Sequence, residues 1–200
     1  EKKRSRPAPI VSPIFHEDGS ILFRVQAPNA DEVFLSGQMT ESKVALEKGE
    51  NGLWSALLTD VPAGLYEYSF TVDGVKMVDP GNPALKPMRS PRTSILHIPG
   101  GNAWDFDAEI AHGTVHAHTY HSEPIDRVRS IEVYTPPGYE TGTKSYPLLV
   151  LQHGHSDSFE TWVAHGKAHW ILDHLIASGK AVPMIVLLAD GHPIPCSYGD

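Results

Sequence analysis

The residues with the clearest chemical potential follow a short apolar stretch near the middle of the second half of the chain. Residues 148–152 are apolar enough to form a buried strand, and His153, Gly154 and His155 follow it directly. A backbone N–H in a turn of this kind can donate a hydrogen bond to the oxyanion that forms when an ester is attacked. We therefore predict a catalytic contribution from Gly154 and from the backbone N–H of His155.

The serine nucleophile that such an oxyanion site serves is not evident. It would stand in a Gly-x-Ser-x-Gly turn and be followed along the chain by an acidic residue and then a histidine. Ser156 and Ser197 lack the flanking glycines, so neither fits. Because that order places the histidine last, none of the 12 histidines is predicted to be the catalytic base. We expect the nucleophile and the triad beyond Asp200, and the 200-residue chain to be inactive alone.

Two further side chains are candidates for substrate binding. Trp162 is placed to lie beside an acyl pocket, with core packing as the alternative, and Asp190 ends an apolar run at the carboxyl edge of a sheet, where ligands collect. His116 and His118 share a strand face and could offer two imidazoles to a metal. No third ligand is placed near them, so the sequence predicts no metal site and no cofactor.

The elements that must position these residues form a strand–helix–strand unit. Strands are predicted over residues 114–121, 130–135 and 148–152. Apolar residues at helical spacing over residues 168–176 predict a helix that ends near Gly179. The apolar run at residues 183–189 is typical of a parallel strand covered on both faces. Residues 109–200 are therefore predicted to be the first part of an α/β domain.

The first half has a different pattern. Residues 21–27 and 65–73 alternate between apolar and polar side chains, and Asp73 and Gly74 are typical of a tight hairpin turn. In the second run, the residues expected to face a core are Tyr66, Tyr68, Phe70 and Val72, with the residues between them facing water. We predict an all-β sandwich over residues 10–88, followed by a Pro/Gly-rich linker over residues 89–108.

Composition excludes several classes of protein. The net charge is −8 with no basic stripe, which argues against nucleic acid as a partner. No apolar run approaches the roughly 18 residues of a membrane helix. Cys196 is the single cysteine and cannot form an internal disulfide. The chain begins at Glu1 with no signal peptide in view, which suggests that a preceding segment was removed. The oligomeric state is left open.

Residues 10–88 resemble the early-set immunoglobulin-like domains that precede carbohydrate-active esterases and amylases, including glycogen-binding modules. The matching motifs lie at residues 27–30, 33–37, 52–54, 61–74 and 79–80. The resemblance implies an immunoglobulin-like sandwich. The tryptophans on which true starch and glycogen binders stack sugars are absent at residues 38–43 and 75–76. A structural role is therefore expected for this domain.

The second half resembles the esterase D family of α/β-hydrolases. The matching segments lie at residues 112–115, 120–122, 133–139, 146–147, 151–154, 162, 171–176 and 190–191. The resemblance implies a secreted or periplasmic serine carboxylic-ester hydrolase that cleaves plant cell-wall polysaccharide esters, of feruloyl or acetyl-xylan type, through an acyl-enzyme and without a cofactor. The alternatives are a carbohydrate-binding or non-catalytic accessory protein, and an enterochelin-type siderophore esterase.

Overall fold

A computed structural model describes residues 9–192 of the chain. The chain divides into two compact units. Over the described residues, the first comprises residues 9–86 and Pro91–Ile98, and the second comprises Pro87–Ser90 and residues 99–192. The short segment Pro87–Ser90 therefore belongs with the second unit although it lies inside the sequence of the first.

The first unit consists of short antiparallel strands, nine of them among the described residues. They are β1 (Ile14–Phe15), β2 (Ile21–Gln26), β3 (Val33–Gly37), β4 (Val44–Ala45), β5 (Glu47–Lys48), β6 (Leu53–Leu58), β7 (Gly64–Val72), β8 (Val75–Met77) and β9 (Ser94–Ile98). One sheet has the order β1-β2-β6-β5, and the other has the order β4-β3-β7-β8, with β9 also paired to β7. The predicted all-β character of this half is confirmed.

Alternation along the strands builds the core of the first unit. Ile21, Phe23 and Val25 of β2 are all at most 1% exposed, and Tyr68 and Phe70 of β7 are equally buried. This is the result expected for strands with one face against a core. The expectation that the intervening Ser69 faces water is wrong, since Ser69 is 2% exposed. Its small side chain lies mid-strand in β7, which has paired strands along both edges, and its neighbours enclose it.

The predicted hairpin between β7 and β8 is confirmed. Asp73 and Gly74 both have positive φ, at 45° and 82°, and they are the two residues between the strands. Positive φ at both central positions defines a type I′ turn, whose twist matches that of the flanking strands.

The stretch at residues 89–108, predicted to be a linker, contains strand β9, which pairs with β7 along its whole length. Pro91 and Pro99 flank this strand and do not interrupt it, and its residues Ile95 and Leu96 are buried. The high proline and glycine content obscured a five-residue apolar strand.

Over the residues that the structure describes, the second unit combines a four-stranded sheet with two α-helices and a short 3-10 helix at Glu123–Ile125. The elements are β10 (Thr114–Ser122), β11 (Arg127–Thr135), β12 (Leu148–Gln152), α1 (Thr161–Ala164), α2 (Ala168–Ala177) and β13 (Ile185–Ala189). The strand order is β10-β11-β13-β12, with β12 and β13 parallel and the other pairs antiparallel. The predicted strand–helix–strand unit is confirmed, and Gly179 follows α2 with φ of 68°.

The two faces of this sheet differ in coverage. On one face, the buried residues Tyr134, Val186 and Leu188 pack against apolar side chains that include Trp162 and Leu172 of the helices. On the other face, apolar residues of β12 remain in solvent, with Leu148 62% and Val150 55% exposed. None of the helices within residues 9–192 has the length and apolar character needed to cross a membrane.

Candidate active site

A tight turn follows β12 at the carboxyl edge of the parallel strand pair. The N–H of Asp157 donates to the carbonyl of Gly154 at 3.2 Å, so residues 154–157 form a β-turn. Ser156, the third residue of the turn, has φ of 69°, whereas His155 does not have positive φ. This combination is that of a type II turn. His155 occupies its second position, where residues of many types, including proline, are accommodated.

The ring of His153 joins this turn to the end of β13. The N–H of Gly191 lies 2.9 Å from Nε2 of His153, and the carbonyl of Gly154 lies 2.8 Å from Nδ1. Because a backbone N–H can only donate, Nε2 accepts and Nδ1 carries the proton that is donated to Gly154. His153 is 8% exposed, so its ring is buried, and both ring nitrogens form hydrogen bonds that link the turn to the end of β13.

Arg129 of β11 fixes the loop after β13. Its Nη1 donates to the carbonyl of His192 at 2.9 Å, and its Nη2 donates to the carbonyl of Asp190. The same Nη2 lies 3.4 Å from Oδ2 of Asp190, and the Arg129 side chain is only 11% exposed. Oδ1 of Asp190 in turn accepts the N–H of His192 at 2.9 Å. The loop is therefore held by a buried guanidinium that contacts both its carbonyls and its carboxylate.

The segment Pro87–Ser90 packs along the turn and restrains it further. The N–H of Arg89 donates to the carbonyl of Ser156 at 3.0 Å, and Met88 pairs with Asp157 in an isolated β-bridge. The guanidinium of Arg89 also contacts Nδ1 of the His192 ring. These contacts restrain the backbone on both sides of Ser156, which helps to hold that residue in a φ region that serine rarely adopts.

A hollow of about 450 Å³ opens beside the turn. Its lining residues are Gln152, His153, Gly154, Asp157, Thr161, Trp162, His165 and Gly166. Trp162 contributes a wall and also packs against the buried cluster beneath the helices. Its indole Nε1 is buried and has no hydrogen-bond partner among the described residues. The hollow is large enough for a small acyl group and has an aromatic wall.

The histidine and aspartate side chains at this edge form the single cluster within the described residues whose spacing could suit a metal. The ligand atoms of His153, Asp190 and His192 lie within 4.8 Å of one another. However, Nε2 of His153 already accepts the Gly191 N–H, and the guanidiniums of Arg89 and Arg129 contact the other two side chains. A metal would have to displace these contacts beside two fixed positive charges, so the donor set does not fit one.

The strand histidines considered for a metal are engaged otherwise. The rings of His116 and His118 stack with their centroids 6.1 Å apart. Nε2 of His116 lies 2.9 Å from Oγ1 of Thr135 and 3.3 Å from Oε1 of Glu140. These histidines lie on β10, an edge strand that β11 and β13 separate from β12.

A second polar cluster ties α2 to the sheet. Nδ1 of His112 lies 2.8 Å from Oδ2 of Asp173, and its Nε2 lies 2.8 Å from the carbonyl of Asp107. Oδ1 of Asp173, whose residue is 1% exposed, accepts the Tyr134 hydroxyl at 2.6 Å and the Gly113 N–H at 2.9 Å. Asp173 was not predicted from the sequence, although an aspartate beside the apolar stripe of a helix indicates a carboxylate that could be buried.

The charge state of His112 follows from these partners. Both of its neighbours are hydrogen-bond acceptors, so both ring nitrogens must carry protons for both bonds to form. Desolvation lowers the pKa of His112, but the hydrogen bond to Asp173, the bond to the Asp107 carbonyl and the charge of Asp173 together outweigh it and raise the pKa above 6.5. Burial also raises the pKa of the Tyr134 hydroxyl, which keeps it a donor to Asp173.

The structure brings some of the predicted site residues together. Gly154 and Trp162 line one hollow, and His155 follows Gly154 in the turn beside it. Asp190 is not among the lining residues, because Arg129 and the loop backbone occupy its carboxylate. The catalytic and binding roles of these four residues remain predictions. Residue Ser197, rejected above as a nucleophile, lies outside the described residues.

Comparison with known protein families separates the same two regions. Residues 12–85 match carbohydrate-binding module 48, the isoamylase N-terminal domain. Residues 122–193 match the Esterase family. The chain combines a module 48 region with an esterase region. The esterase region contains β11, the turn after β12, the hollow and the end of β13, so the candidate active site lies within it.

Individual relatives match most of the chain. The chain is 36% identical over 190 residues to an endo-1,4-beta-xylanase/feruloyl esterase of Xylanibacter ruminicola, a match that covers 90% of this chain and 26% of that protein. Crystal structures of the enterobactin esterase of Shigella flexneri superpose with a TM-score of 0.56 at 15% identity, one covering 86% of this chain and 50% of theirs. A second, determined in the presence of enterobactin, gives the same TM-score and identity. This chain spans about a quarter of the first relative and half of the second.

Proposed function

We propose that the chain is part of a serine carboxylic-ester hydrolase that cleaves ester groups from plant cell-wall polysaccharide, of feruloyl or acetyl-xylan type. The observation that most supports this is the restrained turn at residues 154–157 beside an aromatic-walled hollow, within the region that matches the Esterase family. The xylanase/feruloyl esterase relative supports the polysaccharide as substrate. The order of the strands in the second unit and its parallel pair are consistent with the first part of an α/β-hydrolase sheet.

In this proposal the main chain supplies the chemistry visible in the described residues. Attack on the ester carbonyl converts it to a tetrahedral oxyanion, and the N–H of His155 donates a hydrogen bond to that oxygen. The His153 ring and the Pro87–Ser90 segment hold the turn, and the Arg129 guanidinium holds the loop after β13, before substrate arrives. Little reorganisation is therefore needed during the reaction. The acyl group lies in the hollow against Trp162.

The nucleophile and its acid and base partners are proposed to follow residue 200. A serine there attacks the carbonyl, the alcohol on the sugar leaves, and water then hydrolyses the acyl-enzyme. The 200-residue chain is accordingly expected to show no labelling by a fluorophosphonate probe, whereas the natural-length protein is labelled once. Stoichiometric labelling of the 200-residue chain, or a natural C-terminus at Asp200, contradicts this part of the proposal.

The oxyanion role is tested with a matched pair of substitutions in the natural-length protein. His155→Pro removes the N–H at a position of a type II turn where proline is favoured, while His155→Ala removes the same side chain and keeps the N–H. We expect His155→Pro to lower kcat by about 10²–10³-fold relative to His155→Ala, the usual effect of losing one oxyanion donor. The measurement is initial-rate hydrolysis of methyl ferulate. Equal kcat values for the two variants contradict the assignment.

The second candidate is a siderophore esterase, because structures of an enterobactin esterase share the fold over 86% of this chain. At 15% identity that likeness shows the fold alone. The two functions are separated by measuring kcat/KM of the natural-length protein on two substrates, feruloylated or acetylated xylan and a cyclic tri-catecholate ester. A higher kcat/KM on the xylan supports the polysaccharide esterase. The reverse order supports the siderophore esterase.

A further inference from the structure

A second hollow in the esterase-containing unit is distinct from the one beside the turn. It has a volume of about 460 Å³ and lies between the segment at residues 99–109 and α2. Its chemically distinctive lining residues are Asn102, Asp105, Phe106, Asp107, Glu109 and His174. It shares no lining residue with the hollow at residues 152–166. We call it the Phe106 hollow.

An exposed aromatic ring stands in the wall of the Phe106 hollow. Phe106 is 60% exposed and lines the hollow. Its ring stacks on His112, with centroids 4.6 Å apart and an angle of 16° between the planes, and a tilted Trp170 ring lies 5.9 Å away. Because His112 is held by Asp173 and the Asp107 carbonyl, the ring of Phe106 is oriented while most of its surface stays in solvent.

Hydrogen bonds within the protein also fix the polar part of the Phe106 hollow before any ligand binds. Oδ2 of Asp105 accepts the N–H groups of Gly100 and Asn102 at 2.9 and 2.8 Å. His174 of α2 donates from Nε2 to the Asp105 carbonyl at 3.2 Å. These bonds fix the loop at residues 100–105 against the helix. A ligand that binds here would lose little free energy to ordering of the protein.

Hydrogen-bond acceptors line the hollow together with the Phe106 ring. Oδ1 of Asp107 accepts the N–H of Glu109 at 2.9 Å, and the exposed Glu109 side chain forms no hydrogen bond or ion pair within residues 9–192. Carboxylates accept hydrogen bonds from hydroxyl groups, and an aromatic face packs against the apolar C–H face of a sugar ring. Three carboxylates in one hollow disfavour an anionic ligand. The lining therefore suits a neutral molecule rich in hydroxyl groups.

We propose that the Phe106 hollow binds a neutral stretch of glycan chain, of the xylan type, separately from the ester-cleaving site. The choice of xylan rests on the proposed function, whereas the choice of a neutral glycan rests on the hollow itself. Such a subsite would hold the polysaccharide on the same unit that cleaves its ester groups. It would also supply a sugar-stacking ring that residues 38–43 and 75–76 of the module 48 region do not supply.

The test is affinity electrophoresis of the 200-residue chain in gels containing soluble unsubstituted xylan, with titration of xylohexaose followed by two-dimensional NMR. Phe106→Ala is expected to weaken binding by about ten-fold, equivalent to about 1.4 kcal/mol. Phe106→Trp keeps the ring and should bind at least as well as the parent. Phe15→Ala removes an equally exposed phenylalanine from β1, at 53% exposure, and should change nothing.

Several outcomes overturn the proposal. No retardation of the parent chain in xylan excludes the subsite, and equal retardation of the parent and Phe106→Ala places the binding elsewhere. If the chain is retarded only in a gel that contains a cationic glucosamine oligomer, the carboxylates of the hollow bind a positively charged ligand and the proposal of a neutral glycan is wrong. Phe106→Leu keeps an apolar contact with His112, so loss of binding in that variant with unchanged thermal unfolding separates recognition from stability. Binding requires no ester bond, and so its failure is distinct from a failure to hydrolyse methyl ferulate.

Discussion

At the scale of single residues, the second unit depends on two histidines used in opposite ways. In His153, Nδ1 donates to the Gly154 carbonyl and Nε2 accepts the backbone N–H of Gly191. Both ring nitrogens of His112 face acceptors, which favours its protonated form. Neither role is visible in the sequence, where both are histidines followed by glycine. The tautomer and the charge are set by partners 38 and 61 residues away along the chain.

The charged state of His112 predicts a pH dependence of stability. Its pKa in the folded protein is raised, so its contribution is fully present below the unfolded value of 6.5 and is lost as pH rises through the folded value. We expect the free energy of unfolding of the second unit to fall as the pH rises from 6.5 through the raised pKa of His112. Urea unfolding across that range measures it. His112→Gln should remove most of the fall, and an unchanged fall in that variant contradicts the assignment.

At the scale of elements, local patterns predicted most of the longer strands, the main helix and the hairpin between β7 and β8. The order of the strands within each sheet was not predicted. Strand β12 has the predicted bounds, and Gly179 ends the helix as expected. The position of β13 between β11 and β12 depends on contacts between distant residues, which no local pattern encodes. At the site, the sequence singled out Gly154, His155, Trp162 and Asp190, and their roles stay predictions. Arg129 and Arg89 were missed, because their partners lie on loops distant in sequence.

Two glycines at strand ends predict contrasting tolerance to a methyl group. A Cβ on Gly113, at the start of β10, would lie 2.3 Å from the carbonyl oxygen of Thr135 and 2.4 Å from the Tyr134 ring, both fixed in the sheet. A Cβ on Gly191 would meet the end of the Gln152 side chain, which is able to move. We expect Gly113→Ala to cost about 1–3 kcal/mol and Gly191→Ala clearly less. Chemical denaturation compares them, and equal losses contradict the explanation.

At the scale of the whole molecule, the two units have very different cores. The first contains a cluster of eleven fully buried apolar residues, and the second contains a cluster of three, counted over residues 9–192. The second also leaves apolar side chains of β12 in solvent on its open face. Burial of apolar surface is the main favourable contribution to folding, so the described part of the second unit is the weaker one.

This difference predicts two unfolding transitions for the 200-residue chain. Of its four tryptophans, Trp54 lies in the first unit and the other three lie in the second. Trp54→Phe therefore leaves fluorescence from the second unit alone. We expect that signal to change at a lower urea concentration than the far-ultraviolet circular dichroism of the first unit. A single coincident transition for both probes would show that the units unfold together.

The type II turn after β12 has a practical consequence for following the reaction. If residue 155 acts through its main-chain N–H, every residue type except proline can supply that group, and the side chain becomes a position for chemical labelling. The His155 side chain is exposed. Replacing it with cysteine, after changing Cys196 to serine, would place an environment-sensitive fluorophore on the turn beside the hollow. Arrival of the acyl group could then be timed directly, before any product is released.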